Sequence, residues 1–419
     1  MPPALLLAAA LWLAPPAGTP PAEDPALQRA RAVLARVPLV DGHNDLPWTI
    51  REHPAAPGDV AVYDLRKATS GHTDLPRLRE GRVGAQFWSV YVPGTIAPAA
   101  LVRVQLEQID LARRMVARYP EDLALVTTAD ELERAFRGGK IASLLGAEGG
   151  HTIVDDLAVL RMYHALGVRY LTLTHNVHTA WADCAALPAR RGGLTPFGEE
   201  VVREMNRLGM LVDLSHVAPE TMDDALRVSE APVIFSHSSA RALTDVPRNV
   251  PDDILRRVTT NGGVVMVTFL QAYVSQEVAD ARATRTSALA AAKRLADPAE
   301  RRRRRAEIDA TPPPRATLAQ VADHIEHIRR VAGPDHVGLG GDFDGMTGAP
   351  LGLEDVSKYP HLFAELIRRG WPDADLEKLA GRNLIRVLRG AESVAARLQT
   401  RAPSLATLAQ LDGPPARGR

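Results

Sequence analysis

Six apolar, strand-like stretches of this chain end in residues of metal-ligand type. The first is Val-Asp-Gly-His43-Asn-Asp45-Leu-Pro-Trp, where an imidazole and a carboxylate stand two residues apart. In extended backbone, residues i and i+2 leave the same face, so both groups point one way at a strand end. The other five stretches end in Glu148, His175, His216, His237 and Asp342. One such histidine alone is ordinarily a satisfied structural residue. Seven groups of this type are harder to attribute to packing, because burying unpaired imidazoles and carboxylates is costly. A pair of metal ions meets that cost, and mixed nitrogen and oxygen donors suit a borderline ion such as zinc.

Two ions need a bridge. Glu148 is the carboxylate that ends its strand away from the first-strand pair, which makes it the bridging candidate. His43 and Asp45 would then hold one Zn2+, and His216 and His237 the other. A water or hydroxide between the ions would attack a carbonyl. Asp342, on the strand that closes beside the first, is placed to take and return the proton. His175 has no required metal role and could donate a hydrogen bond to the carbonyl oxygen as charge develops. Two arginines, Arg241 and Arg248, follow the His237 strand. An arginine over such a site is a good fork for a substrate carboxylate, and Arg241 reads as an ordinary surface residue.

The elements that must position these groups repeat in a simple order. Strands are expected at 37–40, 83–92, 141–148, 168–175, 210–216, 232–237, 263–269 and 336–342, separated mostly by helices. This is the pattern of a (β/α)8 TIM barrel. An open doubly wound sheet is disfavoured, because no Gly-x-Gly-x-x-Gly follows the first strand. The barrel also explains why ligand-type residues crown strands from both halves of the chain: only closure brings those ends around one mouth.

At 419 residues and 46% apolar content the chain can bury a large core. Its formal net charge is zero, which gives no reason to expect a nucleic-acid partner. Cys184 is the single cysteine, so no internal disulfide forms. The apolar run at 4–14, followed by Pro-Pro-Ala-Gly-Thr-Pro-Pro-Ala, has the form of a short secretory signal, though no Lys or Arg precedes it. Residues 1–22 are therefore expected to be a signal peptide or a disordered leader. The protein would be exported, periplasmic or secreted, if the leader acts as a signal and cytoplasmic otherwise. No hydrophobic tail for a glycolipid anchor appears at the C-terminus. One catalytic domain is expected over 23–395, with a weakly ordered tail at 396–419. An Arg- and Ala-rich excursion at 275–314, including five arginines at 301–305, reads as a solvated surface segment.

The chain resembles the membrane (renal) dipeptidase family, metallopeptidases of the amidohydrolase-type barrels. The resemblance is carried by the first-strand motif and by Glu148-Gly-Gly, Leu-Thr-His175-Asn, Asp-Leu-Ser-His216-Val, Ser-His237-Ser-Ser-Ala, Arg248-Asn-Val-Pro-Asp-Asp, Gly-Gly-Asp342-Phe-Asp344-Gly and Leu-Glu-Asp-Val-Ser-Lys358-Tyr-Pro. These span residues 40 to 360 in order. The resemblance implies a two-zinc hydrolase of dipeptides with free termini, often tolerant of a D-residue at the second position. It implies that His175 contacts the scissile carbonyl, that Arg248 contacts the C-terminal carboxylate, and that the last-strand aspartate meets the amino group and transfers protons. Asp342 and Asp344 both fit that motif, and Asp342 is preferred because it leaves the strand first. The chain lacks the structural cysteines and the anchor signal of the mammalian pattern, and its arginine-rich stretch is longer. A homodimer without a disulfide is left open. The competing function is another binuclear amide hydrolase of the same fold, acting on N-acyl-amino acids or cyclic amides.

Overall fold

Short aliphatic stretches, buried on both faces, form the strands: β1 (Leu39–Asn44), β2 (Val83–Ser89), β3 (Leu123–Leu125), β4 (Ile141–Glu148), β5 (Val168–Thr172), β6 (Leu211–Asp213), β7 (Ile234–Phe235), β8 (Val264–Val267) and β9 (Val337–Leu339). β1, β2 and β4 are buried at every position, which is how parallel strands covered by helices present themselves. The computed structural model describes residues 24–413. The leader expected at 1–22 and the last residues of the chain lie outside them.

All pairings are parallel, in the order β2-β1-β9-β8-β7-β6-β5-β4, and a β2–β4 ladder closes the ring. Eight strands thus form the expected (β/α)8 barrel. The ninth, β3, was not foreseen. It pairs with the first residues of β4, Leu123 opposite Ile141, and leads into the helix Ala129–Arg137. Three residues carry too little periodicity to announce a strand. The helix does have a start signal in Thr128, whose side chain accepts from Glu131 N at 3.2 Å.

Several strands stop earlier than the sequence suggests. β5, β6, β7 and β9 end at Thr172, Asp213, Phe235 and Leu339, so His175, His216, His237 and Asp342 stand in the loops just beyond them. His43 and Glu148 instead lie within β1 and β4. The ladders end early because side chains take over the backbone hydrogen bonding. Asp213 accepts from Ser215 N at 3.1 Å and Ser236 N at 2.8 Å, and its carboxylate also holds Thr172 and Ser236 hydroxyls. Asp41 does the same for Gly341 N and His43 N, at 2.8 and 3.2 Å.

The excursion is two helices, Gln276–Lys293 and Pro298–Asp309. The second buries no residue, as expected of a solvated run, but the first is anchored through Val278, Ala279 and Ala292. The stretch expected as a tail from residue 396 is described as far as residue 413. The preceding helix runs on to Leu398, and Asp412 accepts from Thr195 Oγ1 at 2.5 Å and Phe197 N at 3.0 Å. That carboxylate satisfies donors at the start of the helix Pro196–Leu208, which ties the segment down. Among the described residues, no helix is long and apolar enough to cross a membrane.

Inside the barrel, Gly146 lies flat against the ring of Tyr170, and an added Cβ would overlap that ring. Gly146→Ala is expected to cost about 1–3 kcal/mol of stability and to displace Tyr170. A denaturant midpoint equal to wild type would refute the close packing.

Candidate metal centre

β1 brings His43 to the mouth fully buried, and Asp45 follows at the N-terminus of the short helix Leu46–Arg51. Asp45 occupies a capping position but does not cap, so its carboxylate is free for another partner. Its Oδ2 lies 3.2 Å from His43 Nε2. Glu148 comes up from β4 between the histidines. Its Oε2 is 3.5 Å from His43 Nε2, while its Oε1 is 3.0 Å from His216 Nε2 and 3.3 Å from His237 Nε2. One carboxylate oxygen therefore faces each expected ligand pair. His175 Nε2 stands farther off, 3.9 Å from Oε1.

Three of the histidines, His43, His216 and His237, are turned inward by a hydrogen bond on the other nitrogen. His43 Nδ1 meets Tyr170 Oη at 2.8 Å, His237 Nδ1 meets Ser236 Oγ at 2.8 Å, and His216 Nδ1 donates to Asn176 Oδ1 at 3.2 Å. Such partners fix the tautomer that leaves Nε2 as a ligand. The consequence is an arrangement that protein alone cannot satisfy. His216 Nε2 and His237 Nε2 are 2.9 Å apart, both presenting lone pairs. His43 Nε2 and Asp45 Oδ1 are buried with no hydrogen-bond partner. Three overlapping donor groups are close enough to share cations: His43, Glu148 and His237; Glu148, His175 and His216; and His43, Asp45 and Asp342. These residues fit a binuclear metal site with Glu148 as its bridge. The donor chemistry agrees with nitrogen and oxygen ligation of a borderline metal.

The electrostatics point the same way. Burial, with Arg248 and neighbouring histidines, holds His216 and His237 well below the ordinary imidazole range, so both are neutral ligands. Glu148 is kept well below the carboxylate range: burial opposes this, and the surrounding histidines outweigh it. His43 alone is drawn upward, because Tyr170, Glu148 and Asp45 outweigh its burial. The proton it would hold marks where positive charge belongs. Tyr170→Phe is expected to lower metal affinity about 10- to 100-fold by freeing the His43 ring. Competition with a chromophoric chelator measures it, and unchanged affinity would remove Tyr170 from this account.

Asp342 is also at the centre. Its backbone N donates to His43 O at 3.2 Å, across the β1–β9 seam. Burial pushes its carboxyl up to about 8, with His43 opposing and Asp45 and Glu148 reinforcing the shift. Asp344 also lines the cavity over this centre, but one of its oxygens is engaged: Oδ1 accepts from His72 N at 2.7 Å, in a loop that also bonds back to its backbone, while Oδ2 is buried without a partner. His216, Asp342 and Asp344 have φ of 68°, 65° and 64°, a left-handed backbone that is strained for these residues and common at functional sites.

Above the cluster lies a cavity of about 390 Å³, lined by Asp45, Glu148, His175, His216, His237, Arg248 and Asp342 among others. Sequence reasoning singled out all seven. It missed Trp48, Tyr91, Tyr273 and Arg282, which complete the walls. It also missed Tyr170, Asn176 and Ser236. Ser236 stands directly before His237, a proximity that could have drawn attention to it.

Arg248 is buried, 5% exposed, with Nη1 donating to Ser238 Oγ at 3.1 Å and Nη2 to His237 O at 3.2 Å. Its Nε has no partner, and Tyr273 covers the guanidinium at 5.4 Å. Arg241 bonds backbone carbonyls of its own loop, Val246 O and Pro247 O. The same loop is fastened by His324 Nδ1, which accepts from Ala240 N at 3.0 Å. Burial lowers His324 to about 4, so the folded chain binds fewer protons than the unfolded chain between about pH 4 and 6.5. Stability from this group is present above pH 6.5 and lost as pH falls through 4, up to about 3 kcal/mol. His324→Gln is expected to flatten the acid limb of the stability profile; an unaltered limb would assign acid sensitivity elsewhere.

Residues 27–402 match the family model described as membrane dipeptidase, peptidase family M19. The fold is similar to the probable dipeptidase PvdM from Pseudomonas aeruginosa, with TM-score 0.76 and 25% identity, covering 88% of this chain and 99% of that one. It is similar to a dipeptidase AC of metallopeptidase family M19, with TM-score 0.71 and 27% identity over 85% and 98% of the two chains. A metallopeptidase from Rhodobacter sphaeroides, liganded with a phosphinate mimic of the dipeptide L-Ala-D-Ala, gives TM-score 0.71 and 26% identity over 85% and 99%.

Proposed function

The chain belongs to the membrane dipeptidase family, peptidase family M19, and on that premise we propose a zinc-dependent dipeptidase that accepts a D-residue at the second position. The observation that carries the reading is Glu148, one oxygen facing His43 and the other facing His216 and His237, beneath a cavity that also holds Arg248. Tolerance of a D-residue is supported by the L-Ala-D-Ala mimic bound to the similar Rhodobacter sphaeroides enzyme.

Bound at these ligands, a metal pair supplies a water activated near neutral pH and a Lewis acid for the amide carbonyl. The residues of the chain do the rest. Arg248 holds the C-terminal carboxylate with its unpaired Nε–H, over the ring of Tyr273. His175, which burial keeps neutral, donates from Nε2 to the carbonyl oxygen as negative charge develops there. Positive charge bound at the neighbouring ligands would favour the ionised form of Asp342, which accepts the proton of the attacking water, returns it to the leaving nitrogen and meets the substrate amino group. Asp344 is engaged by His72 and orients the loop instead.

The test is hydrolysis of L-L and L-D dipeptides by zinc-loaded protein against the chelated apoprotein. Metal-dependent cleavage of dipeptides, but not of N-acetylated dipeptides or tripeptides, is expected. Two bound ions with cleavage of N-acyl-amino acids or cyclic amides alone would overturn the dipeptidase in favour of another amide hydrolase. We also propose export, on the apolar run at 4–14. The mature N-terminus should then begin after residue 14, and exported protein retaining Met1 would refute cleavage.

A further inference from the structure

One wall of the cavity comes from a segment that the barrel itself does not need. The helix Gln276–Lys293 is anchored at its start by Val278 and Ala279. Arg282 lies three and four residues later, on the same helical face, and lines the cavity together with His175, Arg248 and Asp342. The arginine is exposed, and its side chain makes no hydrogen bond or ion pair among the described residues. Its neighbour Arg285 is, by contrast, tied to Ile308 O at 2.7 Å and Asp309 Oδ1 at 2.6 Å.

Two cations thus line this cavity in different states. Arg248 is buried and partly engaged; Arg282 stands at the rim with all its donors available. Tyr273, whose ring covers Arg248, stands in the short helix Gln271–Val274 just before the one that carries Arg282. The cavity carboxylates come from elsewhere: Glu148 from β4, and Asp45, Asp342 and Asp344 from beside β1 and β9. None of them pairs with Arg282. An unpaired guanidinium beside a site for one carboxylate is complementary to a ligand bearing a second.

Resting on the dipeptidase reading, we propose that Arg282 is a specificity-determining residue that selects dipeptides whose second residue has an acidic side chain. Such a substrate offers two carboxylates on one residue. The terminal one meets Arg248, and the side-chain one meets Arg282.

The experiment compares kcat/KM for Ala-Glu and Ala-Gln, with L- and D-second residues, on the zinc-loaded full-length enzyme. The glutamine substrate matches in size and lacks only the charge. Wild type is expected to prefer glutamate about tenfold, and the preference should shrink as salt is raised. Arg282→Ala should bring the ratio near one, and Arg282→Glu should invert it. Arg302→Ala, on the exposed second helix, should keep the wild-type ratio, which separates a local contact from general charge. Equal ratios in wild type and Arg282→Ala, with dipeptides still hydrolysed, would overturn the inference and spare the dipeptidase. No hydrolysis of any dipeptide would overturn both.

Discussion

Glu148→Gln is expected to strip both ions and lower kcat/KM on dipeptides by on the order of 10⁴-fold. Glutamine has nearly the same shape, so the fold should survive. The chemistry does not, because the amide replaces one acceptor oxygen with an NH2 group. Either His43 or the His216 and His237 pair would then face a donor where a cation should stand. The remaining ligands, deprived of a negative charge, hold their ions poorly. His216→Ala is milder in principle: it should remove one ion of the two and nearly all turnover. Metal content per folded chain, read beside circular dichroism, distinguishes these outcomes. Two ions retained in Glu148→Gln would remove the bridge from the account.

Arg248→Ala should be the next most damaging change, lowering kcat/KM on free dipeptides by on the order of 10²- to 10³-fold. The loss should fall mainly on substrates with a free carboxylate, because the buried Nε–H without a partner is the donor proposed to meet it. A C-terminally amidated dipeptide, a poor substrate to begin with, should lose far less. Equal losses on both would mean that Arg248 acts through His237 O and Ser238, which it also holds, and not through substrate. Arg248→Lys should recover little, since a single ammonium cannot reproduce both the anchoring bonds and the free edge.

The strand-end histidines and carboxylates were legible in the sequence because each needs a buried apolar strand before it and chemistry after it. Barrel closure was legible for the same reason, since no open arrangement gathers Asp45 and Asp342 at one mouth. The exact ends of the strands were not. Asp213 and Asp41 replace ladder hydrogen bonds with side-chain ones, and a sequence does not say whether an aspartate bonds its own strand or a ligand. Tyr170 read as one more apolar strand residue, and its hydroxyl has meaning only once His43 lies 2.8 Å away. The excursion was read by its charge, which fits the helix Pro298–Asp309. Arg282 escaped because one arginine among many differs from its neighbours only by where its helix is anchored. The choice between Asp342 and Asp344 turned on order along the chain; both line the cavity, with one oxygen of Asp344 engaged by His72 and the other left without a partner.

The seam of the barrel carries one more implication. His43 lies in the first barrel strand and Asp342 just beyond the last, joined where Asp342 N reaches His43 O. A chain still being synthesised therefore lacks the complete catalytic site, Asp342 included, until almost all of it has been made, although the five residues assigned to the metals all precede residue 238. Because those ligands come from β1, β4 and the loops after β6 and β7, only the closed ring gathers them, and ions held there would act as a latch on the finished barrel. Once bound, they join β1, β4 and the loops after β6 and β7, and unfolding must break those bonds or wait for the ions to leave. Metal occupancy then serves as a certificate of complete folding, and starvation for metal should show first as faster degradation of full-length chains.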